Sequence, residues 1–201
     1  MKNIIISITI TAIAFAACNS GNDKSGATQN NTANDTSKVK QQVAGTTAAN
    51  TVEAKATVSI KEIISAYLQL KNAFTKDNTN NAATAGTLLQ TAFKNFDKAA
   101  LTAQQKKVFE DVADDASEHA EHIGKNGGNI VHQREHFIML SKDMADLIKT
   151  FGNGGQTLYK DFCPMANDGK GAIWISETKD IKNPYLGKSM PTCGTMKEEM
   201  K

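Results

Sequence analysis

The sequence predicts a mainly α protein: an antiparallel four-helix bundle with a small C-terminal β-hairpin and loop extension packed on it. Three observations predict this. Between residues 58 and 155, apolar side chains recur at three- and four-residue spacing in four runs. Short breaks built on Gly and Asn separate several of the runs, and short connections make consecutive helices antiparallel neighbours. After Gly155 the pattern changes to two short β-type runs, 158–162 and 172–176, divided by the turn signal Asn167-Asp168-Gly169.

Ile60, Ile63, Ile64, Tyr67, Leu70 and Phe74 form the apolar stripe of the first helix, and Ser59 with Glu62 has capping-box spacing. Ala82, Ala85, Leu89, Phe93 and Phe96 mark the second. Thr102 with Gln105 opens the third, which is expected to turn Val108, Val112, Ala116 and Ile123 inward. Gly127-Gly128 ends it, Asn129 caps the fourth, and Ile130, Phe137, Met144, Leu147 and Phe151 face the core. The extension, 156–194, is too short and loop-rich to stand alone. It is expected to dock through Tyr159, Phe162, Trp174 and Tyr185, leaving 195–201 as a charged tail.

Composition excludes several functions. The 201 residues carry 23 basic and 21 acidic side chains, a net charge of +2. Arg134 is the only arginine, so a nucleic-acid partner, which is bound through arginine forks and a basic field, is not expected. Three cysteines are too few for a disulfide-built scaffold.

The N-terminus indicates a location. Lys2 precedes an apolar run that ends at Ala17, shorter than the roughly 20 residues a spanning helix requires. Phe15-Ala16-Ala17-Cys18 resembles the lipobox of bacterial lipoproteins, which implies cleavage after residue 17 and acylation of Cys18. Residues 1–17 then form a signal peptide, and lipid at Cys18 anchors the mature chain to a membrane. Residues 18–57 hold no aromatic side chain and read as a disordered tether. The expected location is the cell envelope, facing the periplasm.

Sulfur and imidazole are the chemical candidates. Cys163 and Met165 lie two residues apart, a spacing that puts both sulfurs on one face of an extended chain. A turn at Pro191 would bring Met190 to Cys193. Thiolate and thioether are soft donors suited to Cu(I). A Cys163–Cys193 disulfide is the alternative, and both readings stay open at this level. On the fourth helix His132, His136 and Met139 fall at i, i+4, i+7, and two of them are imidazoles at chelating spacing. His119, beside Ala116 and Ile123 in phase, reads as a core histidine, and His122 as a solvated one. His-Glu-x-x-His, the Glu-x-x-His pairs of a di-iron bundle and a phosphate-binding loop are all missing, and no enzymatic activity is expected.

Cys163-Pro164-Met165, Asn183-Pro184-Tyr185, Met190…Cys193-Gly194 and His132-Gln133-Arg134-Glu135-His136-Phe137 together resemble a domain of unknown function in bacterial, chiefly Bacteroidetes, lipoproteins. A similar domain is fused to periplasmic adaptor subunits of copper/silver efflux pumps. The resemblance implies a metal-handling context. The resulting expectation is a membrane-tethered periplasmic metal-binding protein that buffers copper or delivers it to an efflux system. Its ligands would be drawn from Cys163, Met165, Met190, Cys193, His136 and His132. The rival is a non-metal envelope interaction module with a structural Cys163–Cys193 bridge. The N-terminal reading is tested by cell fractionation: the wild-type chain should sediment with membranes and a Cys18→Ser variant should not.

Overall fold

The computed structural model describes residues 58–201, so the expected signal peptide, acylated Cys18 and tether lie outside the described residues. Four helices come first: α1 (Lys61–Phe74), α2 (Thr79–Lys94), α3 (Ala103–Lys125) and α4 (Ile130–Phe151). Consecutive helices pack on one another. Cross-helix contacts run antiparallel, as in Tyr67 with Ser141 and Arg134 with Phe74 across α1 and α4.

Local chemistry sets most of the helix ends. Thr102 and Gln105 close a reciprocal capping box at α3, and Asn129 accepts the His132 N–H at α4. Asn78 caps α2 by accepting the Asn81 N–H. The box expected at Ser59 and Glu62 does not form. Ile60, 1% exposed, is drawn into the core and occupies the cap position itself, while Ser59 Oγ accepts the Lys61 N–H at 3.3 Å. In α3 the inward face is also rotated from expectation. Phe109 and Ala113 are buried where Val108 and Val112 were expected. The Phe109 ring stacks on Phe96 at 4.4 Å and meets Phe151 edge-on at 6.1 Å, and this large aromatic sets the helix phase.

The helices α2 and α3 approach closely at Gly86 and Gly124. A Cβ added at Gly86 would lie 2.8 Å from the Ala120 carbonyl oxygen and 2.9 Å from the Gly124 nitrogen.

The extension folds as a three-stranded antiparallel sheet of β1 (Leu158–Cys163), β2 (Ala172–Ser176) and β3 (Thr195–Met200), in the order β2-β1-β3. Residues expected to be a charged tail therefore form an edge strand. Its side chains are exposed along nearly all its length, so no alternating apolar pattern announces it; backbone pairing to β1 and the Lys160–Glu198 ion pair hold it. The register shift opposite Lys160 and Asp161 leaves Lys197 as an extra residue in β3, a bulge in the edge strand, while β1 pairs with β2 in unbroken register. In β1, Leu158, Asp161 and Cys163 are buried, and Tyr159 and Phe162, expected to dock on the bundle, are only partly buried.

Docking is done by β2 and the loop after it. Trp174 and Ile175 are fully buried, and β2 lies along α4 and α1. Three hydroxyls form one buried set: Tyr67 and Ser141 share a 2.8 Å hydrogen bond, the Tyr185 hydroxyl lies 3.3 Å from that of Ser141, and the Ile175 N–H donates to Tyr67 at 3.1 Å. Tyr185 also donates to the Ile173 carbonyl. Arg134 adds a second tie, donating to the Phe74 and Pro184 carbonyls at 2.9 and 2.7 Å and pairing with Asp77 at 2.6 Å. Fully buried Lys71 pairs with Glu177 at 2.7 Å.

Gly86→Ala should destabilise the protein in urea by up to about 2 kcal/mol, because the added Cβ meets backbone atoms that cannot move aside and the overpacking cost, up to ~3 kcal/mol, exceeds the ~1 kcal/mol gained in helix propensity.

Candidate metal centre

The turn Gly127-Gly128 folds α4 back along α3, and antiparallel pairing sets 119 opposite 136 and 122 opposite 132. The Nδ1 atoms of His119 and His136 are 3.1 Å apart. The rings of His122 and His136 stack at 4.4 Å with 9° between planes, and His132 stands edge-on to His136 at 4.6 Å. One nitrogen from each of His122, His132 and His136 lies within 4.8 Å of the others. Among the described residues this is the single group of three or more His, Cys, Asp or Glu side chains close enough to share an ion.

Electrostatics disfavour protonation of His136 and His119. Burial first, then the neighbouring His122, His132 and His119, lowers the His136 pKa to about 4, against a smaller opposing pull from Glu135. Burial likewise lowers His119. Both imidazoles are therefore neutral at pH 7 and hold lone pairs. When the Nδ1–H of His136 donates to His119, the Nε2 lone pair is left for an ion, and His119 fixes the tautomer from behind. Glu118 and Glu135 stand 3.7 and 3.5 Å from His122 and His132. Asp143 belongs to the same helix pair, its carboxyl pushed up to about 6 by burial and then by Asp115 and Asp146.

The sulfur atoms lie elsewhere. Cys163 and Cys193 are free thiols with their Sγ atoms 2.6 Å apart, and neither joins the histidine group. The expected site joining these sulfurs to His136 and His132 is thus two separate places. The cause is the phase of α4. His132 and His136 project toward α3, while Val131, Arg134, Glu135 and Ile138 line a groove of about 310 Å³ shared with Met165, Asp168 and Leu186. The Met165 and Met190 side chains are 54% and 39% exposed. Two metal–thiolate bonds of ~2.3 Å at a tetrahedral angle hold sulfurs roughly 3.8 Å apart, so this pair has no room for an ion between its atoms.

His119 and His122 were the residues misjudged from sequence. His119 is half-buried against His136 and not in the core, and His122 is stacked and not freely solvated. The signal was present in the Gly127-Gly128 turn: folding two helices back on each other there aligns both histidine pairs. Met139, 47% exposed, keeps its expected place on the α4 stripe.

A family model described as a protein of unknown function (DUF3347) matches residues 63–156. The match spans the helices and stops before β1, so it takes in all four histidines and neither extension cysteine. No curated protein and no solved structure matches the chain.

The lowered His136 pKa has a measurable sign. The unfolded chain, with its histidine near pH 6.5, binds more protons than the folded one between pH 6.5 and 4. This group therefore contributes stability above pH 6.5 that is lost as pH falls toward 4. Buried Asp143 and Asp161, both raised to about 6, act in the opposite direction. Urea unfolding of wild type and His136→Gln, compared at pH 7.5 and 4.5, separates the two effects: the wild type should lose more stability on acidification than the variant.

Proposed function

We propose that this chain is a membrane-tethered metal-binding protein of the bacterial cell envelope, which buffers copper or passes it to an efflux system. The metal position is the seam between α3 and α4. The observation that carries this reading is the convergence of His122, His132 and His136, with His119 in contact behind them. Three imidazoles form a nitrogen site of borderline softness, and such sites bind Cu(II) more tightly than Ni(II) or Zn(II). Divalent copper thus fits the seam better than the Cu(I) expected from the sulfur spacing. Three protein ligands leave coordination positions open, as exchange of the ion with a partner requires.

A second reading has its own support. The close approach of Cys163 to Cys193 also fits an envelope interaction module that binds no metal. One titration separates the two. Cu(II) and Zn(II) competed against a chromophoric chelator should bind the wild type with a one-to-one endpoint, copper the tighter. His132→Ala and His136→Ala should each weaken binding by about tenfold or more, equivalent to ~1.4 kcal/mol. Cys163→Ser with Cys193→Ser should leave it unchanged. Wild-type binding no tighter than that of the His132→Ala/His136→Ala double variant overturns the metal reading.

A further inference from the structure

Cys163 and Cys193 reach one another on two frames, neither of which depends on their contact. Cys163 is the buried last residue of β1, held opposite Ala172 in the ladder. Cys193 closes a turn by donating its N–H to the Met190 carbonyl at 3.2 Å. Asn183, fully buried, fixes that turn from outside: its N–H donates to the Pro191 carbonyl at 2.8 Å and its Nδ2 to the Cys193 carbonyl at 2.6 Å. Its Oδ1 accepts the N–H groups of Tyr185 and Leu186, both at 2.8 Å. Gly194, at φ +146°, completes the constraint, since a Cβ there would lie 2.7 Å from the Trp174 ring.

Two thiols delivered this way, one buried and one partly exposed, are placed for oxidation in a fixed order. We infer that Cys163 and Cys193 form an intrachain disulfide by exchange with a disulfide oxidant, Cys193 reacting first. The Cys193 thiolate attacks one sulfur of the oxidant, forming a mixed disulfide and releasing one thiolate. Cys163, already in contact, attacks the Cys193 sulfur and expels the second. One disulfide bond is lost and one gained. The two thiol protons of the protein pass to the two released thiolates, and two electrons leave the cysteines for the oxidant. The bridge ties β3, which begins two residues after Cys193, to the inner end of β1, and removes both sulfurs from any metal. It stands independently of the histidine reading.

Peptide mapping of the full chain without reductant, after incubation with oxidised glutathione, tests this with no metal present. In wild type, a linked peptide pair containing Cys163 and Cys193 should appear, two hydrogens lighter than the separate peptides. Cys163→Ser should stop at a stable glutathione adduct on Cys193. Cys193→Ser should leave the native Cys163 unmodified, because that thiol is buried. Quantitative alkylation of both wild-type thiols after the incubation overturns the inference, and so does a glutathione adduct that persists on wild-type Cys193.

Discussion

Each residue of an α-helix turns the chain by about 100°, and in α4 that step decides which groups in the molecule can meet. Gln133, Phe137, Leu140 and Met144 point into the core. His132 and His136 look toward α3, while Arg134 and Ile138 look toward the extension. One rod therefore serves as core wall, imidazole platform and docking rail, and groups on one face cannot serve another. Imidazole and sulfur are separated by this geometry, however suggestive their proximity in a list of candidate donors.

The extension is bound to the bundle through buried apolar side chains, Trp174 and Ile175 among them, and through polar atoms kept from water. Tyr67, Ser141 and Tyr185 share hydrogen bonds in a dry volume, where burial raises the pKa of both phenols and keeps them as neutral donors. Such groups hold strongly to one arrangement, since an unmatched partner in the same volume would cost ~1–3 kcal/mol. Lys71 and Glu177 extend the principle to charge: burial lowers the lysine pKa and the carboxylate counters it. Buried Asp161 shares this region, and Lys71 partly offsets the burial that raises it.

Helix existence and order were legible because apolar spacing and caps such as Thr102, Gln105 and Asn129 are local signals. So were β1, β2 and the turn between them, where Asn167 and Asp168 take φ of 56° and 53°. What escaped was set by tertiary context. The phase of α3 follows the packing of Phe109, Asp161 is buried in a strand whose burial does not alternate, and β3 is held by edge pairing and the Lys160–Glu198 ion pair rather than by an apolar face. For the site, His132 and His136 stood out by spacing within one helix. His119 and His122 needed the hairpin to be closed before their partners could be seen.

The two halves of the molecule differ in the distance along the chain over which they are stitched. His119 meets His136 across 17 positions, whereas Ile175 meets Tyr67 across 108. Short-range closure carries little entropic penalty and is fast; long-range closure must wait for the polypeptide to be nearly complete. The imidazole cradle can thus assemble while the later strands are still emerging. A nascent chain would thus bring its four histidines together before β1, β2 and β3 had found their places on the helices.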